Sequence, residues 1–306
     1  MPAYRIRAYT YLFMANLIWG AAASVVKFTL TGIDPLPFLA YRFILSGIGA
    51  WILLFVRRKQ LGKLIKAIIP STAYAIIALP ITLSLLFFGL NNTTVLETGI
   101  ITASAPLVVS VIGVMVFRDR ITHREKIGTV VALMGSLFVT VGPLLAGNGT
   151  AQLHFSANML IILYLLADTV GTTYAKIATK KGVPSSILTQ YAFALAPLFI
   201  VPITYFQYGN FIPAILELAL PYHLGVWFMA FGSGLLGYYL FVRGQQSIEL
   251  SEAGLFWYLT AIFEIPLAIL WLGESITTSY VIGAIVVIMG VIVAETKSSR
   301  RKRGKK

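Results

Sequence analysis

Residues 91–140 read NNTTVLETGIITASAPLVVSVIGVMVFRDRITHREKIGTVVALMGSLFVT, and residues 246–295 read QSIELSEAGLFWYLTAIFEIPLAILWLGESITTSYVIGAIVVIMGVIVAE. The second stretch lies over the first at a slide of 155 positions without a gap. Nine of the fifty positions coincide: Glu97 with Glu252, Gly99 with Gly254, Ile121-Thr122 with Ile276-Thr277, Ile127-Gly128 with Ile282-Gly283, Val131 with Val286, and Met134-Gly135 with Met289-Gly290. Asp119 over Glu274 adds an acid just before the shared Ile-Thr. Each copy reads as an apolar helix, a short acidic turn, and a Thr placed to cap a second apolar helix. Upstream, Lys27 with Pro35 is answered by Lys176 with Pro184, so the repetition begins well before each quoted stretch.

Composition says what such helix pairs are immersed in. The chain has 306 residues, 58% hydrophobic and only 11% charged, where a soluble domain carries about a quarter of its residues as charges. Apolar runs near the ~20 residues needed to cross a bilayer recur along it. The pattern predicts an all-α membrane protein with ten spans, at 8–29, 36–56, 67–89, 94–117, 126–146, 157–179, 185–207, 222–243, 250–272 and 277–295. The first span follows Arg5 and Arg7 as a signal peptide would, but its Lys27 end has a repeat partner, so it is read as part of the fold. There is no cysteine, which removes disulfides, thiolate nucleophiles and zinc–cysteine sites. His123, His154 and His223 all fall in predicted turns, which argues against an intramembrane metal site, and no cofactor is expected.

The net charge of +13 is a matter of topology. With the N-terminus inside, the inward segments hold Arg5 and Arg7; Arg57, Arg58, Lys59, Lys63 and Lys66; Arg118, Arg120, Arg124 and Lys126; Lys180, Lys181 and Arg243; and seven cations from Lys297 to Lys306. The outward loops hold none, and the remaining Lys27, Arg42 and Lys176 lie inside spans. This is the positive-inside distribution, and it places both termini in the cytoplasm. It accounts for the basicity without nucleic acid. Five spans per half is odd, so the halves run in opposite directions: residues 1–150 form one five-helix repeat and 151–296 its inverted copy. Residues 297–306 form a basic tail suited to anionic lipid.

Charges within spans cost at least ~2.5 kcal/mol each at mid-bilayer, so they pair or line a cavity. Asp168, midway along the sixth span, shares a polar stripe with Tyr164, Gly171 and Thr172 and is read as a proton acceptor or substrate ligand. The bland alternative is a neutral buried acid bonded to Thr172. Glu264 shares a face with Trp257 and Thr260, and its repeat position in the first half is Val109. It is the second coupling candidate, or else a structural partner of Arg42. Asn16, Trp19, Gly20, Ala23 and Lys27 form one helical stripe, suited to a substrate wall or to tight packing. Lys27 and Lys176 lie near the rims, where snorkelling competes with binding. Tyr238 and Trp257 are candidates for the wall. Arg42 is assigned to a pair with Asp34; Glu97 and Glu252 to first-turn capping; and Asp119 and Glu274 to tight turns. Gly232-Ser233-Gly234-Leu235-Leu236-Gly237 is a formal GxGxxG, but it follows no strand and is read as helix packing.

Taken together, several motifs resemble the drug/metabolite transporter superfamily in its EamA-type, ten-helix branch. They are Trp19-Gly20 with Lys27; Arg42; Thr93-Thr94 with Glu97 and Ala105-Pro106; and Phe117 through Thr122 with Gly128 and Gly135. The second half adds Leu272-Gly273-Glu274-Ser275-Ile276-Thr277 with Gly283 and Gly290. The resemblance covers nearly the whole chain. It implies inverted repeats around a cavity lined by spans 1, 3, 4, 6, 8 and 9, alternating access, and export of small metabolites such as amino acids, with a monomer sufficient. Thr260-Ala261 stands where the second repeat often has a proline like Pro106, and Asp168 and Glu264 lie outside the general pattern. The rival expectations are an uncoupled facilitator, a membrane-embedded enzyme and a lipid-binding scaffold. The enzyme lacks Cys, an intramembrane His and any paired-acid motif.

Overall fold

The computed structural model describes residues 3–56, 61–117, 123–146 and 151–295. Asp119, the Ile121-Thr122 cap, the basic runs at 57–60 and 118–120, and the 297–306 tail lie outside the described residues. The described chain is helical throughout: α1 (Ala3–Thr29), α2 (Pro35–Val56), α3 (Leu61–Ile76), α4 (Thr82–Asn92), α5 (Val95–Thr102), α6 (Ala105–Phe117), α7 (His123–Ala146), α8 (Ala151–Lys180) and α9 (Ser185–Tyr208). There follow α10 (Ile212–Leu216), α11 (Leu220–Trp227), α12 (Tyr238–Gln245), α13 (Leu250–Gly254), α14 (Trp257–Leu270) and α15 (Thr278–Glu295). Eight helical stretches are long and apolar enough to cross a membrane, with two shorter apolar helices at Lys126–Gly142 and Thr278–Ala294. Large apolar side chains such as Ile69, Phe206 and Leu270 stand on the outer surface. A lipid-facing rim accounts for them.

Where the sequence reads single spans, four are interrupted. The stretch 94–117 breaks between α5 and α6 at Ala103-Ser104, just before Pro106, which has no N–H to continue the ladder. The stretch 250–272 breaks between α13 and α14 at Leu255-Phe256, where Phe256 N donates to Ala253 O in a tighter turn. The other two carry π-helical segments, Ile77–Ile81 around Pro80 and Phe228–Gly237 around the glycine run. His223 stands in α11, His154 in α8 and His123 at the start of α7, so the turn expectation for the histidines is corrected. Among the described residues no cluster of His and acids could hold a metal.

The repeated glycines serve a seam. A Cβ on Gly128 would lie 2.4 Å from Gly290 O, and one on Gly290 would lie 2.5 Å from Ala132 N. Gly135 and Gly283 meet Val287 and Val139 in the same way. Only glycine lets α7 and α15 approach backbone to backbone, and theirs is the most extensive helix pairing in the fold. Thr277 caps α15 as the sequence predicts, accepting from Tyr280 N at 3.2 Å.

The acids of the repeats do other work than expected. Glu274 leaves its own turn and accepts from Val95 N and Leu96 N at 2.8 and 2.9 Å, capping α5 from the far half of the chain. A carboxylate there is favoured by the helix dipole, at about 0.3–2 kcal/mol. Thr94 Oγ1 accepts from Glu97 N at 3.0 Å, but the Glu97 carboxylate turns away from its own helix end. It accepts from Thr93 Oγ1 at 2.7 Å and Asn158 Nδ2 at 3.1 Å, joining α5 to α8. Its counterpart Glu252 accepts from Tyr9 and from Arg5 at 2.5 Å, joining α13 to α1. Both glutamates lie in the first turn of their helices and Thr94 caps α5, as the sequence predicts, but their carboxylates tie helices together instead of capping their own.

Candidate functional site

Between these ties lies a cavity of about 80 Å³, lined from both halves of the chain. One wall is α1, through Trp19, Ala22, Ala23 and Val26; the facing wall is α8, through Tyr164 and Asp168. The interrupted helices close the remainder: Thr98 and Thr102 come from α5, Met229 and Ser233 from the π-helical segment, and Trp257, Thr260 and Glu264 from α14. Tyr238 opens α12, and Arg42 enters from α2.

The break in each span places these groups. Ending α5 and restarting at α6 leaves Gly99 facing α14, and a Cβ there would lie 3.5 Å from Glu264 Cδ. A Cβ at that distance would make only ordinary contact with the acid. The repeat-related contact is Gly254 against Val109, at 3.4 Å, so the same packing holds a carboxylate in one half and a methyl pair in the other. The π-helical turn alters the backbone pairing near Ser233, whose carbonyl accepts from Trp19 Nε1 at 3.0 Å. Trp19 is then boxed by Tyr238, Phe241 and Trp257 at ring distances of 5.2, 5.1 and 6.4 Å. Gly237 lets the indole in, since a Cβ there would lie 2.8 Å from Nε1. An aromatic side and a side bearing Arg42, Asp168 and Glu264 suit an amphipathic guest.

Six of the nine sequence-predicted site residues meet here: Trp19, Asp168, Tyr238, Trp257, Thr260 and Glu264. Asn16 is buried one step behind, its Oδ1 accepting from Thr260 Oγ1 at 2.8 Å while its Nδ2 donates to Leu12 O at 2.7 Å. Thr172 lies a turn beyond Asp168, with its hydroxyl 3.5 Å from Oδ2. Lys27 is elsewhere. Its ammonium donates to Thr93 O at 2.7 Å, Leu90 O at 2.8 Å and Asn91 O at 3.3 Å, so it neither lines the cavity nor snorkels. Lys176 likewise donates to Ile248 O at 2.5 Å, and Ile248 is the residue that lies over Thr93 in the repeat.

Residues 6–141 match the EamA-like transporter family, and residues 155–296 match it again. The chain belongs to that family. Relatives agree along its length: it is 26% identical over 300 residues, 94% of this chain and 93% of the relative, to an uncharacterized transporter, YyaM, of Bacillus subtilis (strain 168). An uncharacterized transporter of Methanothermobacter thermautotrophicus is 25% identical over 94% of this chain and 86% of its own. A solved crystal structure shares the fold, with a TM-score of 0.65 at 16% identity over 97% of this chain and 99% of that one. This EamA-like chain is therefore a multi-pass membrane protein of a transporter family.

The family resemblance counts Arg42 among its motif residues, but the sequence reading gives it only a structural role. Assigned to a pair with Asp34 at the rim, it is instead fully buried and lines the cavity. Its guanidinium lies 5.5 Å from the Phe87 ring centroid and 5.9 Å from that of Phe43, and Nε, Nη1 and Nη2 have no hydrogen-bond partner among the described residues. A signal was present in the sequence. Sliding α2 onto α9 as Lys27 slides onto Lys176 puts Arg42 over Tyr191, a break in the repeat like Glu264 over Val109.

Proposed function

We propose that this chain is a secondary transporter of the cytoplasmic membrane, built as ten spans in two inverted five-helix repeats (1–150 and 151–296) with both termini cytoplasmic. It moves a small polar or amphipathic metabolite by alternating access, an amino acid being the leading candidate and export the direction. The observation that carries the reading is the cavity, in which Asp168 and Glu264 sit among interrupted helices drawn from both halves. Discontinuous helices around a buried polar site are how many transporters bind cargo at mid-membrane. The repeated glycine seam and the matched ties of Lys27 to Thr93 O and Lys176 to Ile248 O support the inverted arrangement. Asp168 is the first coupling residue and Glu264 the second, with Trp19, Tyr238, Trp257 and Thr260 as the wall and Asn16 and Thr172 holding it. Substrate and membrane lipid, the latter through the 297–306 tail, are its partners, and a monomer suffices. Counterflow of labelled amino acids in proteoliposomes, with and without a pH gradient, tests it. Asp168→Asn should abolish the gradient's effect and preserve counterflow. An unchanged response would remove Asp168 from coupling, and a wild type indifferent to the gradient would be an uncoupled facilitator.

A further inference from the structure

Buried guanidinium groups in proteins are ordinarily saturated by carboxylates or carbonyls, because an ion without partners in a low dielectric is costly. Arg42 departs from this. All three of its nitrogens lack hydrogen-bond partners among the described residues, the side chain is fully buried, and it faces the cavity. Among the described residues no carboxylate lies within ion-pairing distance of it, although two acids line the same cavity. Phe43 and Phe87 hold its position by their ring faces without using its N–H groups. A second donor is likewise uncommitted: Trp257 Nε1 is buried, on the lining and without a partner among the described residues. On the acceptor side, Glu264 Oε1 is also buried and has no partner among the described residues.

We infer that Arg42 is the anion receptor of the cavity, and that the transported substrate carries a carboxylate which it binds through its planar fork of N–H donors. This rests on the transporter reading above and narrows it. The fork matches a carboxylate in two parallel hydrogen bonds. The substrate's other end is set by what remains. Trp19, Tyr238 and Trp257 take an apolar or aromatic body, and Glu264 and Asp168 take a protonated amine where one is present. The repeat supports a substrate role over a structural one, since the fold places Tyr191 at the matching position of α9 and needs no cation there.

Three probes of one shape separate the contributions: L-phenylalanine with both charges, 3-phenylpropionate with the carboxylate alone, and phenethylamine with the amine alone. The full-length purified protein would be assayed for thermal shift by each probe, and after reconstitution for competition with labelled L-phenylalanine counterflow. Both carboxylates should stabilise and compete, and phenethylamine, which keeps the amine and ring but lacks the carboxylate, should do so at least about tenfold more weakly. Arg42→Gln, shown by melting and gel filtration to be folded, should lose about tenfold or more in apparent affinity for the carboxylates, and Arg42→Lys should recover part of it. Three results would overturn the inference: phenethylamine binding as well as the carboxylates, a folded Arg42→Gln binding them as the wild type does, or neither carboxylate shifting the wild type at millimolar concentration. The transporter reading is judged separately, by whether any labelled amine, sugar or nucleoside exchanges in the same vesicles.

Discussion

Replacing Lys27 by methionine keeps the length and apolar stem of the side chain and deletes only its ammonium. In the structure that ammonium makes two short hydrogen bonds, to Thr93 O at 2.7 Å and Leu90 O at 2.8 Å, and a longer one to Asn91 O at 3.3 Å. These carbonyls belong to the last turn of α4 and the residue that follows it. A hydrogen bond to a charged donor contributes about 1.5–3 kcal/mol. The site is partly open to solvent, which lowers each, so the two short bonds together are worth about 3 kcal/mol. Extending the scaling of soluble domains to 306 residues, this corresponds to a fall in melting temperature of roughly 5 °C. The measurement is a fluorescence melt of Lys27→Met and wild type in one detergent at one lipid content. Lys27→Arg serves as a control that restores charge but not the compact ammonium. If the methionine variant melted within about 1 °C of the wild type, the ammonium would be reaching water, as a snorkelling lysine does, and the tie between α1 and α4 would be discarded.

Gly290→Val should destabilise severely, because even a Cβ would lie 2.5 Å from Ala132 N and 2.6 Å from Gly128 O; a loss above about 3 kcal/mol, or failure to fold, is expected, and near-wild-type melting would refute the seam. Glu264→Val should fold and melt no lower than the wild type, because Val109 already fills the matching contact with Gly254 and exchanging an unpaired buried acid for an apolar side chain is not costly. A markedly lower melt would make Glu264 a structural residue. Arg5→Ala should leave the melt unchanged at physiological salt although Arg5 pairs with Glu252, since exposed pairs are screened; a drop of several degrees would make that pair a true closure of the α1–α13 end.

What the sequence carries well is whatever repeats. The paired glycines and Thr277 as a cap are duplicated signals, and each returns in the structure, as seam and N-cap. Asp168 and Glu264 were legible because depth along a span and a broken repeat are both one-dimensional facts. The interruptions at 103–104 and 255–256 were not, since only the first has a proline beside it and a tight turn inside an apolar run leaves no change in hydropathy. Direction was equally hidden. Lys27, Arg42 and Lys176 are cations in or near spans, and the sequence sends all three to the rims. The structure gives Lys27 and Lys176 backbone carbonyls and leaves Arg42 without hydrogen-bond partners among the described residues. Which carbonyl or cavity a helix face meets depends on the neighbouring helices, and a single chain's periodicity does not contain it.

The division of labour between symmetric and asymmetric positions follows from that. Residues alike in both halves tie helices together: glycines at the seam, lysines on the carbonyls of Thr93 and Ile248, glutamates bridging α5 to α8 and α13 to α1. Residues that differ between the halves face the cavity. Asp168 lies over Trp19, Glu264 over Val109, and Arg42 over Tyr191. Under the proposed alternating access, interactions made twice could be exchanged as one half rocks against the other with little net cost, because what weakens in one half would strengthen in its counterpart. A charge placed once has no such counterpart. Its energy changes with the conformation around it, and that is the property a group must have if substrate or proton binding is to bias which way the cavity opens. On the proposed transporter reading, the three unmatched charges are where substrate choice and coupling would reside.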